Sequence, residues 1–205
     1  MSRVASLLAV VAVVLLALSG PAVRLGVVPY TAGILMLPAA GILGLAAAIV
    51  ALVAMFRGGG VFKPAMALIV GVAAALVPAS AYVLARSVPP INDISTDPKE
   101  QSEAQRKAYP DIQPLRLAVA PNIAFERAKG AIEEAGWEIV REDPSAGRIE
   151  AVATTFWFGF KDDVAIRIAA DGPGSRVDMR SKSRVGRGDL GTNAQRIRMY
   201  QRRLQ

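Results

Sequence analysis

All 17 acidic residues of this chain lie at or beyond Asp93. The first 92 residues carry only five charged side chains, Arg3, Arg24, Arg57, Lys63 and Arg86, and each sits at the edge of a long apolar run. A segment that water cannot solvate is therefore joined to one that needs water. The apolar runs are Val4 to Leu18, Tyr30 to Phe56 and Pro64 to Ala85. A hydrocarbon core of about 30 Å takes roughly 20 helical residues. The expected organisation is a transmembrane region over 1–87, with spans at about 4–19, 30–56 and 64–86. An extended stalk over 88–114 and a soluble α+β domain over 115–205 follow.

The first run is marginal in length. Its Ser2-Arg3 head, apolar middle and Ala17-Leu18-Ser19 end also fit a cleavable signal peptide, with Ser19 the last residue removed. Three spans, or two after cleavage, leave the soluble part on the same side. Arg3, Arg57 and Lys63 fall on one side of the bilayer and Arg24 and Arg86 on the other. The positive-inside rule thus favours a multi-pass protein of the bacterial inner membrane with its carboxyl-terminal domain in the periplasm.

No ionisable residue lies inside a span, which argues against pumps, proton relays and ion pathways. Small-residue stripes, Ala40-Gly44-Ala48 and Ala67-Gly71-Ala75-Ala79, put close-packing faces on the second and third spans. They suit packing within the chain, with homo-oligomers or a membrane partner as the other readings. Pro38 and Pro78 are expected to kink these helices without breaking them.

Beyond the spans, prolines punctuate Val88 to Pro114, with a short helical turn expected at Glu100–Lys107. Period-two alternation then marks strands at Leu115–Val119, Trp137–Arg141, Ile149–Ala153, Val164–Ile168 and Val177–Arg180. Pro121 opens a helix with Phe125, Ala128, Ile132 and Ala135 on one face, and Gly136 closes it. A last helix runs from about Asp189, with Leu190, Ala194, Ile197 and Leu204 on one side. The order β-α-β-β-β-β-α implies an antiparallel sheet covered by helices. Folding about the Asp171–Gly174 turn pairs Ala170 with Ser175, Arg167 with Asp178 and Asp163 with Lys182, and a similar fold-back sets Glu150 beside Arg167.

The chain has no His and no Cys, which removes His-assisted and Cys nucleophiles and zinc sites built from those ligands. No catalytic residue, metal or cofactor is expected. Asp162 and Asp163 are neighbours on a strand and point to opposite faces, so they read as structural, Asp163 in the charge ladder and Asp162 at the turn. Gly186-Arg187-Gly188-Asp189-Leu190-Gly191 copies the dinucleotide spacing. Only 14 residues follow it, with no further strand and no acid for a ribose, so that reading fails.

From Arg176 onward there are nine basic and two acidic residues, against ten and fifteen between Asp93 and Ser175. Arg180, Lys182, Arg184 and Arg187 approach a helix N-terminus through a glycine-rich turn, and Arg180, Ser183, Arg184, Arg187 and Asn193 are the candidate site there for an anion or partner. The opposing reading pairs these arginines with the acidic remainder of the domain. Phe156, Trp157, Phe158 and Phe160 crowd a loop where polar residues are expected. They suit contact with headgroups or a partner, or else cap the core beneath the last helix.

Several ordered motifs also carry a resemblance. Ile91–Asp97, Ile149–Ala151, Phe158–Asp163, Asp178–Gly186 and Asp189–Asn193 are similar to the domain-of-unknown-function 1499 family, across about Val88 to Leu204. The resemblance implies a small domain often found beside membrane spans, and no reaction. Its motif residues are Asp93, Asp97, Asp162, Asp163, Arg180, Ser181, Ser183, Arg184, Asp189 and Asn193. The leading expectation is a non-enzymatic module that binds an envelope protein, an anionic lipid or a glycan beside the lipid bilayer, and not nucleic acid. The rivals are an envelope enzyme using Ser181, Ser183 and Asp162, and a structural accessory subunit of a membrane complex.

Overall fold

A computed structural model describes residues 1–58 and 60–205, which form two units. The first holds three long helices, α1 (Ser2–Arg24), α2 (Tyr30–Phe56) and α3 (Phe62–Ser87). All three are long and apolar enough to cross a membrane. Helix α2 covers the second apolar run, Tyr30–Phe56. Helix α1 exceeds its expected span because Gly20, Pro21, Ala22 and Val23 continue the helix past Ser19.

Small residues let these backbones approach. Ala5 and Ala9 of α1 share a buried cluster with Ala47 and Ala51 of α2 and Ala67 of α3. A Cβ placed on Gly44 would lie 2.5 Å from the Gly71 carbonyl oxygen, and one on Gly71 would lie 2.5 Å from that of Gly44. Ala40, Gly44 and Ala48 are all buried. On α3 the buried stripe is Ala67, Gly71 and Ala74, while Ala79 is exposed. A spacing of four drifts around a helix of 3.6 residues per turn, so the contact moves to Ala74.

The second unit is a six-stranded antiparallel sheet with strands β1 (Asp93–Ser95), β2 (Leu115–Leu117), β3 (Glu138–Asp143), β4 (Arg148–Thr154), β5 (Lys161–Asp171) and β6 (Gly174–Ser183). The path is β1-β6-β5-β4-β3, and β2 shares the outer edge of β6 with β1. Helix α4 (Glu103–Ala108) follows β1, α5 (Pro121–Glu134) follows β2, and α6 (Thr192–Leu204) ends the fold. The core holds Phe125, Ala128 and Ile132 of α5, Ala194, Ile197 and Tyr200 of α6, and Ile149, Val164, Ile166, Val177 and Met179 of the sheet. Each sheet residue alternates with a solvent-facing one, as period two demands.

The pairs Ala170–Ser175, Arg167–Asp178 and Asp163–Lys182 stand in register across β5 and β6 as expected. Glu150 faces Ala165, and Arg148 takes the place opposite Arg167. The expected face is right and the register is two residues out, because the loop over 155–160 sets the offset.

The segment expected as an extended stalk contributes β1, α4 and two buried isoleucines, Ile94 and Ile112. The short helical turn expected at Glu100–Lys107 is α4, shifted to Glu103–Ala108, whereas β1 was not expected, because the groups that pair with its outer edge are polar side chains and not a strand. The Gln105 amide accepts from the Ser95 N–H at 3.1 Å and donates to the Ser95 carbonyl at 2.6 Å, serving both groups as a neighbouring strand would. Gln101 donates to the carbonyls of Ser95 at 3.0 Å and Ile112 at 2.8 Å.

Candidate functional site

Strand alternation sets Asp162 on the same side as Val164 and Ile166, and Ser181 and Ser183 on the same side as Val177 and Met179. All three polar residues therefore face inward, beneath α6. Helix α6 answers with Asn193 and Arg196, on the face that also carries Ile197 and Tyr200. Arg196 donates to the Asp162 carboxylate at 2.6 Å, with both side chains almost wholly buried. It also donates to Ser181 Oγ at 2.9 Å and to Asn193 Oδ1. Ser181 Oγ donates to Asn193 Oδ1 at 2.6 Å, and Asn193 Nδ2 donates to Ser183 Oγ and to the Asn92 carbonyl, each at 3.0 Å.

Asp189 holds the entry to α6, accepting from the N–H groups of Gly191 at 2.9 Å and Asn193 at 2.6 Å. Leu190 and Gly191 have φ of 57° and 80°, a left-handed turn that brings the chain around to that cap. Burial raises the Asp189 carboxyl above its ordinary range, against the lowering effect of those two N–H bonds.

The structure thus gathers five motif residues, Asp162, Ser181, Ser183, Asp189 and Asn193, around one helix start. Arg196 completes the group. Its signal in the sequence was a charge beside Ile197 and Tyr200 on the face of the last helix that turns to the core. The chemistry available is limited, because a Ser nucleophile needs a base to take its proton. The Ser181 hydroxyl instead serves Asn193 and Arg196, and the Asp162 carboxylate holds Arg196. Asp162 lies within β5 opposite Ser183, a correction to its expected place at a turn; its structural character follows from the ion pair. Among the described residues no group of three or more His, Cys, Asp or Glu could hold a metal ion.

The other motif residues occupy the open sheet face. Arg180 grips Asp93 with two bonds of 2.8 and 2.7 Å, and Lys182 adds a third contact at 3.3 Å. The Arg180 guanidinium holds the Asp93 carboxyl below its ordinary value. Arg184 meets Asp163 at 2.7 Å, Arg167 meets Glu100 at 2.5 Å and Asp97 at 3.4 Å, and Arg176 meets Asp178 at 2.8 Å. The cross-strand neighbours Arg167 and Asp178, and Asp163 and Lys182, therefore take other ionic partners. The acids of the segment before α4 explain this, since Asp93, Asp97 and Glu100 approach from β1 and the turn after it.

The five residues expected to bind an anion accordingly occupy three places. Ser183 and Asn193 face the core, Arg180 and Arg184 are ion-paired on the open face, and Arg187 is exposed in the loop before α6 with no acid partner among the described residues.

Of the aromatic loop, Phe156 to Gly159 group with the three helices. Trp157 lies against Gly20, where any Cβ would collide with its ring, and its indole N–H reaches Ser19 Oγ at 3.4 Å. Arg24 donates to the Phe156 carbonyl at 2.6 Å. Thr155 and Phe160 close the loop base through bonds of 2.8 and 2.9 Å. Phe156 is 87% exposed, and none of Phe156, Trp157, Phe158 or Phe160 belongs to the core between sheet and helices.

A family model described as "Protein of unknown function (DUF1499)" matches residues 91–204. No curated protein matches the chain.

Proposed function

This chain belongs to the DUF1499 family of proteins of unknown function, and we propose that it is a membrane-anchored, non-enzymatic module that binds an anionic component of the bacterial envelope. In this reading the helices sit in the inner membrane and the sheet domain faces the periplasm. Arg3, Arg57 and Lys63 then lie on the cytoplasmic side.

One observation carries the choice of binding over catalysis. The hydroxyls and carboxylate an enzyme would use, those of Ser181, Ser183 and Asp162, are hydrogen-bonded within a buried network. An anionic ligand is favoured by the basic carboxyl end, where Arg187 and Arg202 are exposed without acid partners among the described residues. A protein partner is a second reading, favoured by the exposure of Phe156.

Two experiments test this. The chain has no cysteine, so Ser145→Cys labelled with a membrane-impermeant thiol reagent reports sidedness directly. Labelling in intact spheroplasts supports the periplasmic placement, and labelling only after lysis overturns it. The full chain, with its helices held in phosphatidylcholine nanodiscs, should also associate with vesicles containing phosphatidylglycerol and not with pure phosphatidylcholine vesicles. Equal association with both defeats the anion reading, and turnover of an envelope substrate lost in Ser183→Ala favours the enzyme.

A further inference from the structure

Trp137, just before β3, and Thr192, Gln195, Arg198, Met199 and Arg202 of α6 border a groove of about 510 Å³. That is within the size range of small-molecule sites, about 300–1,000 Å³. Its charge has one sign. No acidic residue lines it among the described residues, and Thr192–Leu204 contains four arginines and no acid. The groove on the open sheet face differs in this respect. Arg148, Arg167 and Arg180 are balanced there by Glu100, Glu150 and Asp178.

The arginines at the α6 groove are not equivalent. Arg196 also borders it, but its charge is met by Asp162, and Arg198 holds Asp111 with bonds of 2.6 and 2.8 Å. Arg202 is exposed with no acid partner among the described residues, so its guanidinium fork is open to a ligand. The opposite wall is apolar and held in place. Trp137 stacks on Tyr200 with ring centroids 5.6 Å apart, and the Tyr200 hydroxyl donates to the Ala128 carbonyl at 2.9 Å. A fixed indole and a thioether beside an open cation suit an amphiphilic anion.

We infer that this groove is a binding site for the phosphodiester headgroup of an anionic phospholipid, with Arg202 on the phosphate and Trp137 and Met199 against the glycerol and first methylenes. The inference rests on the binding reading above and names its ligand and site. A domain tethered to a bilayer meets such headgroups at high effective concentration, so a modest intrinsic affinity suffices.

The test uses the full chain in phosphatidylcholine nanodiscs and its two tryptophans, Trp137 and Trp157. Monomeric dihexanoyl-phosphatidylglycerol should change the fluorescence saturably, and the change should persist in Trp157→Phe and vanish in Trp137→Phe. Arg202→Gln should weaken binding roughly tenfold, the scale of one lost charge-assisted contact. Arg203→Gln, an exposed neighbour outside the groove, should shift it less than about twofold. Equal losses in the two variants mean a diffuse field and overturn the site. So does an equal response to inorganic phosphate alone, or a response to oligogalacturonate in place of the lipid. If phosphatidylglycerol binds wild type and Arg202→Gln alike, the groove assignment falls while the binding reading stands. If neither this lipid nor anionic vesicles associate with wild type, both fall.

Discussion

Arg196 and Asp162, 34 residues apart in sequence, meet at 2.6 Å between α6 and β5, out of reach of solvent. A charge pair in that position restricts how the last helix can dock, because any rotation or shift of α6 separates two desolvated charges. Ser181 and Asn193 reinforce the restriction by taking up further hydrogen bonds from the guanidinium.

Breaking the pair from one side should therefore be severe. Arg196→Met leaves a buried carboxylate without its partner and should cost about 3–5 kcal/mol. The double variant Asp162→Leu with Arg196→Met should recover most of that loss. Native-state hydrogen exchange at the amides of β5 and α6 in the full chain reads both. Equal destabilisation by the single and double variants would show that the pair is not what holds the helix.

Gln105 makes a second local prediction. Its amide satisfies both backbone groups of Ser95, so Gln105→Leu takes from them the partner that binds both. Gln101 still donates to the Ser95 carbonyl, so the Ser95 N–H is the group left without its partner, and a loss of about 1–3 kcal/mol is expected. It should appear as faster exchange at β1 with little change at β3 and β4.

Two glycines should respond in opposite directions. Gly44→Val drives a side chain toward the Gly71 carbonyl and should lower the thermal stability of the helical unit in detergent. Gly130 sits inside α5, and a Cβ added there would meet nothing within 4 Å, so Gly130→Ala should stabilise by about 0.5–1 kcal/mol. The two measurements are thermal midpoints of the purified chain.

The pH profile has two limbs of opposite sign. The hydrogen bonds from Arg180 and Arg198 lower the Asp93 and Asp111 carboxyls in the folded state. Their contribution is complete above the unfolded value of about 3.9 and is lost as pH falls through the folded values. Asp189 is raised by burial, so its contribution is present below that unfolded value and is lost as pH rises through the folded one. Asp93→Asn should shrink the acid limb, and Asp189→Asn should flatten the change just above about pH 4. Thermal midpoints between about pH 2.5 and 7 check both.

Much of this protein was readable because local rules carry it. The acid-free start predicts membrane-spanning helices, and the alternation from Leu115 onward predicts the sheet and which side of each strand is buried. The tight turn at Asp171–Gly174 even sets the β5–β6 register residue by residue, because a short loop allows one offset. Three matters lay outside those rules. The register of β4 depended on a longer loop, the strand at Asp93–Ser95 on glutamines that imitate a neighbouring strand, and the fate of the arginines on which acids arrived from distant segments. Composition and periodicity determine which residues leave water, since burial follows from each residue's own chemistry and its neighbours along the chain. Which charges are paired and which remain open, as at Arg202, only the tertiary structure decides, because an ion pair depends on where two remote side chains come to rest.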